Sequence, residues 1–248
     1  MDRFIANPTG LTFDDLQNND WDLIKLNITF DTTSAMAWVK EVEEKNQDCI
    51  WKWTEAAPYV DEDLLKHLNA WVSKQLEKSE TQEPEQWALQ WSYQRDGVLP
   101  FEALASKKVY PEVADPNFLQ IWNQNLEKYM FGFWKKYYDA LGETVFPVSR
   151  LVKFPKGCGL GPHIDTGPDQ QFLIRMHTIP DLGPEHYFAF GKKSEQRRYY
   201  LEPGCTYLLN TGVPHCAINR DEKDWWMLHN NPTPEGVNKV LGTIAHFE

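Results

Sequence analysis

The spacing of hydrophobic and polar residues changes character near residue 143. Before this point, apolar residues recur mostly at helical spacing. After it, short apolar runs alternate with turns that contain Pro and Gly. The pattern predicts an α-rich supporting segment over residues 1–143 and a β-rich core over residues 144–248, packed together as one compact unit.

Short candidate elements occupy the first part of the N-terminal segment. Residues 22–30 alternate as a half-buried strand does, and Thr33 or Ser34 is a candidate cap for a helix over residues 35–45. Apolar residues recur again at helical spacing after Asp61, which predicts a second helix there.

The clearest helical pattern covers residues 116–141. Its apolar positions form a broad stripe at a period of about 3.6 residues, and Gly142 ends it. A helix with such a stripe is expected to pack across a sheet. A short strand is predicted at Trp87–Tyr93.

Nine candidate strands follow residue 143, with Pro and Gly between most of them. They lie at 145–154, 162–165, 171–179, 185–191, 196–201, 205–210, 214–219, 224–230 and 239–247. Many short strands with frequent turns are typical of a sandwich or barrel, and about eight strands fit a double-sheet jelly roll of the cupin type. The predicted fold is therefore mostly β (α+β), a double-stranded β-helix with the N-terminal segment packed on it.

Three polar residues in this core have the types and spacing of metal ligands. His163 and Asp165 are two positions apart, so their side chains point to one face of a strand. His215 follows after four candidate strands, which is enough chain for a jelly roll to return beside the first pair. Two imidazoles and one carboxylate can hold one face of a divalent ion and leave the other face open, as in non-haem Fe(II) sites. Zinc accepts the same donors.

Composition narrows the function classes further. The formal net charge of -11 disfavours nucleic acid as a partner. No apolar run approaches the roughly 20 residues of a membrane span, and the N-terminus has no signal-peptide pattern. The four cysteines form no Cys-x-x-Cys pair. We therefore expect a soluble, reduced, cytoplasmic protein that binds no membrane.

Longer motifs around the candidate ligands resemble those of the cupin-fold Fe(II)/2-oxoglutarate-dependent oxygenases. The nearest branch is the aspartyl/asparaginyl β-hydroxylase-like one, and the resemblance covers about residues 145–231. The matching stretches are Pro155-x-Gly157, Pro162-His163-Ile164-Asp165-Thr166-Gly167-Pro168, Ile174-Arg175-Met176-His177-Thr178-Ile179-Pro180, Glu202-Pro203-Gly204 and Asn210-Thr211-Gly212-Val213-Pro214-His215-x-x-Ile218-Asn219.

The resemblance implies a hydroxylase that holds Fe(II) through His163, Asp165 and His215. The co-substrates would be 2-oxoglutarate, which is decarboxylated to succinate, and molecular oxygen. The Arg-x-His element implies that Arg175 and His177 contact 2-oxoglutarate, and their matching strand parity agrees with this. The substrate would be an amino acid, a peptide side chain or a small metabolite.

One position departs from the family pattern. The family usually has an arginine about ten residues after the distal histidine, and it binds the far carboxylate of 2-oxoglutarate. Trp225 stands there in this chain. Either Arg175 takes over, or Arg220 or a lysine reaches in, or the co-substrate differs.

Two other classes of protein fit the same residues. One is a metal-binding cupin that is not an oxygenase, such as an isomerase or a zinc protein. The other is a non-catalytic jelly-roll module that has lost co-substrate binding, which Trp225 would favour. His186, His229 and His246 are further ligands by residue type alone, and the glycine-rich stretch at 157–161 is expected to be a flexible turn, with a possible role as a lid.

Overall fold

A computed structural model gives the fold of the chain and describes residues 2–50, 52, 84–91, 127–165 and 173–248. The strands in these ranges are β1 (Phe4–Ala6), β2 (Leu23–Phe30), β3 (Glu85–Trp91), β4 (Val148–Phe154), β5 (Gly159–His163), β6 (Ile174–Asp181), β7 (His186–Phe190), β8 (Arg197–Tyr199), β9 (Cys205–Asn210), β10 (His215–Asn219), β11 (Trp225–Asn230) and β12 (Ala245–Phe247). The α-helices are α1 (Phe13–Gln17), α2 (Thr32–Lys45), α3 (Gly132–Leu141) and α4 (Pro234–Leu241).

Eight consecutive strands, β4 to β11, form two sheets that face each other. The centre of the larger sheet has the order β9-β6-β11-β4, and the smaller sheet has the order β5-β10-β7-β8. The chain crosses repeatedly between the two sheets, which is the connectivity of a double-stranded β-helix. The mostly β, jelly-roll fold predicted from the sequence is confirmed.

Four further strands widen the larger sheet. β2 pairs antiparallel with β9, and β1 and β12 both pair parallel with β2. At the opposite edge β3 pairs antiparallel with β4. The described part of residues 1–143 thus contributes strands as well as helices, and the boundary at residue 143 remains a prediction.

Alternating side chains place a different hydrophobic core on each face of the larger sheet. Leu151, Met176 and Leu228 belong to a core that also contains residues of α2, α3 and α4. Val152 and Met227, on the other face, pack with Phe188 of the smaller sheet. We call the region between the two sheets the interior of the jelly roll.

Helix α3 packs its aromatic side chains on the larger sheet. Tyr137 is fully buried, and its hydroxyl lies 2.9 Å from the hydroxyls of both Thr178 on β6 and Thr206 on β9. These bonds satisfy a phenol that would otherwise be stranded in an apolar core. The helix ends at Gly142, as the sequence predicts, and Gly142 has a φ of 79° that favours glycine.

A buried carboxylate fastens the two sheets together at one edge. Asp22 precedes β2 and is inaccessible to solvent. It accepts hydrogen bonds from Arg197 Nε at 2.6 Å, Arg197 Nη2 at 3.0 Å and the Tyr199 hydroxyl at 2.8 Å, all from β8 of the smaller sheet. The charge of Asp22 is therefore compensated inside the fold.

Several predicted elements differ from the structure. The continuous helix over 116–141 is wrong in its described part, because residues 127–129 form a 3₁₀ turn and α3 begins only at Gly132, whose φ of 55° reorients the chain. The strand predicted at 239–247 is also wrong, since α4 runs to Leu241 and only Ala245–Phe247 is a strand.

Other predicted boundaries shift by a few residues. Asp31, not Thr33 or Ser34, caps α2, and its carboxylate accepts from the backbone N–H groups of both residues. The strand predicted at Trp87–Tyr93 is found at Glu85–Trp91. The predicted helix after Asp61 and residues 116–126 lie outside the described residues, as does Thr166 in the ligand motif.

None of the helices in the described ranges is both long enough and apolar enough to cross a bilayer.

Candidate metal and co-substrate site

Two histidines from neighbouring strands meet at one end of the jelly roll. His163 is the last residue of β5 and His215 is the first residue of β10, and the antiparallel register pairs them directly. Their ring centroids are 4.3 Å apart. The pairing follows from the topology, because β10 returns beside β5 after the chain has passed through four other strands.

Asp165 joins the two histidines from the loop that follows β5. Its backbone N–H donates to the carbonyl of Thr211 at 3.0 Å, which ties this loop to the one preceding β10. Asp165 Oδ1 lies 3.5 Å from His163 Nε2. One ligand atom from each of His163, Asp165 and His215 lies within 4.8 Å of the others.

Backbone carbonyls determine which nitrogen of each imidazole can bind a metal. His163 Nδ1 lies 2.7 Å from the carbonyl oxygen of Gly161, and His215 Nδ1 lies 3.0 Å from that of Val213. A carbonyl only accepts, so Nδ1 carries a proton in both rings, and Nε2 is the nitrogen whose lone pair a metal would use. Both histidines are thus in the tautomer that a metal ligand requires.

The ionisation of Asp165 is also held in the form a metal needs. Burial raises its pKa, but the nearby charge of Arg175, the two histidines and a hydrogen bond from Thr211 together outweigh this, and the pKa falls to about 2. Arg175 Nε lies 3.2 Å from Asp165 Oδ2. The guanidinium therefore lies against one carboxylate oxygen, while the other oxygen is directed at His163.

His215 remains neutral across the physiological range. Burial, together with the neighbouring His163, lowers its pKa to about 4. A neutral imidazole and an ionised carboxylate are the protonation states that metal binding would otherwise have to impose.

Two more imidazoles lie behind this cluster on the inner face of the larger sheet. His177 on β6 and His229 on β11 are direct cross-strand neighbours, and His177 Nε2 lies 3.2 Å from His229 Nδ1. His229 Nε2 lies 3.1 Å from Asn231 Oδ1. Burial lowers the pKa of His177 to about 3 and that of His229 well below its ordinary value, so both are neutral.

The structure brings all five predicted site residues to the same end of the interior. His163, Asp165 and His215 form the cluster, Arg175 contacts Asp165, and His177 lies one inward-facing position further along β6. Their roles as ligands and co-substrate contacts remain predictions.

Sequence reasoning missed two residues of this region. The sequence indicates His229 as a ligand by residue type alone, and no motif points to Arg150 on β4. A usable signal was present, because Arg150 shares strand parity with the interior residues Val152 and Phe154, and a charge on an otherwise apolar strand face indicates a function or a buried partner.

Other candidates from the sequence lie elsewhere. His186 is held by the carbonyl of Gly183 and the N–H of Leu201, and His246 contacts Thr29 at the exposed edge of the larger sheet. The glycine-rich stretch is not simply a turn, because its residues from Gly159 onward belong to β5. Its role as a lid remains a prediction.

The donor set fits a divalent metal. Two Nε2 lone pairs and one ionised carboxylate converge from separate segments, and a 3.5 Å gap between His163 Nε2 and Asp165 Oδ1 suits two atoms each about 2.0–2.2 Å from a shared ion. Three ligands on one side leave room for further ligands on the other.

Comparisons with known proteins find similarity in structure only. No family profile and no curated protein sequence matches the chain. A prolyl-4-hydroxylase from Pseudomonas putida aligns over 88% of this chain and 94% of its own, with 11% identity and a TM-score of 0.42. An oxidoreductase of the 2OG-Fe(II) oxygenase family from Burkholderia pseudomallei aligns over 83% and 93%, with 10% identity and a TM-score of 0.34.

A smaller protein also matches. A cupin domain from Bordetella pertussis aligns over 34% of this chain and 78% of its own, with 17% identity and a TM-score of 0.27. With identities this low, the matches do not assign a function, and the proposal for this chain depends on the geometry of its own site.

Proposed function

We propose that the protein is an Fe(II)- and 2-oxoglutarate-dependent dioxygenase that hydroxylates an amino acid, a peptide side chain or a small metabolite. The observation that carries the proposal is the convergence of His163, Asp165 and His215 at the end of a jelly-roll interior, with ligand atoms within 4.8 Å of one another. A facial set of two imidazoles and one carboxylate is the donor set of non-haem Fe(II) oxygenases.

Buried groups next to the cluster support an anionic co-substrate. Arg175 supplies a permanent positive charge beside the proposed metal position. His177 and His229 are neutral and add no charge, and their N–H groups are used within the wall: His229 Nε2 donates to Asn231 Oδ1, and His177 Nε2 donates to His229 Nδ1. The Arg-x-His element at 175–177 also supports the aspartyl/asparaginyl β-hydroxylase-like branch.

In the proposed reaction the protein positions groups and controls charge. When bound, iron and 2-oxoglutarate supply the oxidant that transfers one oxygen atom of O₂ to a substrate C–H bond, with release of CO₂ and succinate. Arg175 helps to keep Asp165 ionised, and it contacts this carboxylate through Oδ2. The carbonyls of Gly161 and Val213 hold the two histidine rings with Nε2 towards the ion.

The decisive experiment measures succinate formed from 2-oxoglutarate by protein loaded with Fe(II), together with the metal content of the protein as purified. Asp165→Ala should lower succinate formation by about 100-fold or more, because it removes a proposed ligand and leaves the Arg175 charge uncompensated. If Asp165→Ala kept full turnover, the proposal would be wrong.

Asp181→Ala is a matched control. Asp181 lies at the end of β6 in an ion pair with Lys223, on the partly exposed rim of the sheet, and its loss should leave turnover unchanged. Zinc at full occupancy in the purified protein, with no succinate formed after iron loading, would favour the non-oxygenase cupin instead. Metal binding without detectable 2-oxoglutarate binding would favour the binding module.

A further inference from the structure

In the family that this chain resembles, an arginine about ten residues after the distal histidine binds the far carboxylate of 2-oxoglutarate. The corresponding residue here, Trp225, is part of the hydrophobic core. Trp225 is 1% exposed, and its ring packs 4.7 Å from Phe154 and 5.7 Å from Phe188 between the two sheets. An anion at this position would lose its hydration without gaining a charged partner. A dicarboxylate must therefore find its second cation elsewhere.

The cations that the sequence suggested as replacements are committed to other contacts. Arg175 faces Asp165 at 3.2 Å. Arg220 lies over the ring of Tyr187 at 5.4 Å from its centroid, and Tyr187 belongs to the cluster on the outer face of the smaller sheet. Arg220 thus points away from the interior.

Arg150 is the one buried Arg or Lys side chain among the described residues, with 4% exposure. It lies on β4 directly opposite His229 on β11, which in turn lies opposite His177 on β6. Side chains in register on adjacent strands share one face of a sheet. Arg150 therefore belongs to the inner face, in the row of His177 and His229.

His177 lies on the same strand as Arg175, which contacts Asp165, and the row from His177 to Arg150 crosses two strand spacings. Strands are about 4.8 Å apart, so two strand spacings, roughly 10 Å, separate the backbones of His177 and Arg150. The long arginine side chain shortens this gap. The positive charge of Arg150 also contributes to lowering the pKa of both His177 and His229, as expected for a guanidinium close to both rings.

Gln86 adds a second polar group at the same place. It lies on β3 with 2% exposure, and its Oε1 accepts from Arg150 Nη1 at 3.3 Å. Its Nε2 donor is buried and has no hydrogen-bond partner among the described residues. A buried amide donor beside a guanidinium is matched by a carboxylate, which accepts from both.

We propose that Arg150, assisted by Gln86, binds the distal carboxylate of a dicarboxylate co-substrate whose other end lies at the His163–Asp165–His215 cluster. This inference rests on the proposed function, and it moves the anchor from the strand that carries Trp225 to the adjacent strand β4. The inner face then selects dicarboxylates over monocarboxylates, because only a dicarboxylate reaches both the metal and Arg150.

Calorimetric titration of the Mn(II)-loaded protein tests the proposal without requiring catalysis. The probes are 2-oxoglutarate and 2-oxopentanoate, which lacks only the distal carboxylate. Wild-type protein should bind 2-oxoglutarate about 30-fold or more tightly than 2-oxopentanoate. In Arg150→Met, 2-oxoglutarate affinity should fall to that of 2-oxopentanoate, while the affinity for 2-oxopentanoate and for Mn(II) stays within about threefold of wild type.

Lys153→Met is the matched control. This substitution removes one positive charge from the same strand. Lys153 lies on the opposite face of the sheet, in ion pairs with Glu43 and Asp224. The Lys153→Met protein should bind 2-oxoglutarate with the same affinity as the wild-type protein. Gln86→Leu keeps the Arg150 charge and should weaken 2-oxoglutarate a few-fold, which provides a second test if Arg150→Met does not fold.

The outcomes separate this inference from the proposed function. Wild-type affinity for 2-oxoglutarate in Arg150→Met, or equal wild-type affinity for the two probes, would overturn the role of Arg150 and leave the oxygenase proposal standing. A Mn(II)-loaded wild-type protein that binds neither probe would overturn both.

Discussion

At the scale of single residues, the site depends on which groups are charged before any ligand binds. Arg175 and Arg150 are permanent cations, and Asp165 is held ionised beside Arg175. His177 and His229 share a hydrogen bond and are kept neutral by burial. The interior therefore presents the fixed positive charges of Arg150 and Arg175 beside rings that carry no charge, and this balance of charge suits an anionic ligand.

A first prediction concerns the pH dependence that His177 gives to the metal-free protein. Burial lowers its pKa to about 3 in the folded state, whereas an unfolded chain protonates histidine near 6.5. As the pH falls below about 6.5, His177 is protonated in the unfolded state but stays neutral in the folded state. The free energy of unfolding therefore decreases progressively towards pH 3.

The measurement is urea unfolding between pH 7 and 4.5 in the presence of a chelator. His177→Gln should reduce the loss of unfolding free energy by about 1.4 kcal/mol per pH unit below pH 6.5. His246→Gln, which removes an exposed imidazole on β12, is the control and should follow the wild-type profile. A profile for His177→Gln identical to wild type would contradict the neutral, buried state of His177.

At the scale of elements, helices α2, α3 and α4 pack on the outer face of the larger sheet, behind the site. Trp38 of α2 and Trp134 of α3 stack with centroids 6.1 Å apart. The start of α4 is fixed by Thr233, which accepts from the N–H of Gly236 and donates to the carbonyl of Thr144. This brings the first turn of α4 against the loop that follows α3.

A second prediction tests this docking of α4. A methyl group at position 236 would lie 2.1 Å from the carbonyl oxygen of Thr144, so Gly236→Ala forces two backbone segments apart. We expect a loss of about 1–3 kcal/mol in unfolding free energy, measured by denaturant titration.

Gly242→Ala, at the other end of the same helix, is the matched control. Its added methyl group would approach no atom closer than 3.7 Å, and its φ of -91° is accessible to alanine. This variant should be as stable as wild type or slightly more so. Equal stability of the two variants would show that α4 is not docked as described.

At the scale of the whole molecule, the N-terminal strands are built into the same sheet as the jelly roll. β2 lies between β9 on one side and β1 and β12 on the other, so N-terminal, central and C-terminal segments share one hydrogen-bonded surface. The hydrogen bonds that Asp22 accepts from Arg197 and Tyr199 also link this region to β8 of the smaller sheet. Such interleaving favours a single cooperative unit.

A third prediction follows for native-state hydrogen exchange. Amides of β2 and β9 should open with free energies equal within about 1 kcal/mol, because breaking their pairing exposes both cores. Exchange measured by mass spectrometry on peptides covering Leu23–Phe30 and Cys205–Asn210 tests this. Exchange of β2 at a much lower free energy than β9 would show that the N-terminal segment unfolds on its own.

Hydrophobic alternation and turn residues were enough to predict the jelly roll, because the alternation of apolar and polar residues within each core strand indicates which face is buried. They were not enough for short mixed segments. Val237, Val240 and Leu241 lie at helical spacing, yet the run is too short to be distinguished from a strand by periodicity alone. The long helical stripe similarly concealed the break at Gly132.

The sequence by itself determined the residue types of the candidate metal cluster and the two-residue spacing of His163 and Asp165, although Asp165 reaches the cluster from the loop after β5 and not through strand parity. Only the tertiary structure placed His215 beside them and brought Arg150, His229 and Gln86 onto one wall. The physical reason is that side-chain direction is a local property of a strand, whereas neighbours across a sheet are set by which distant strands pair and in what register.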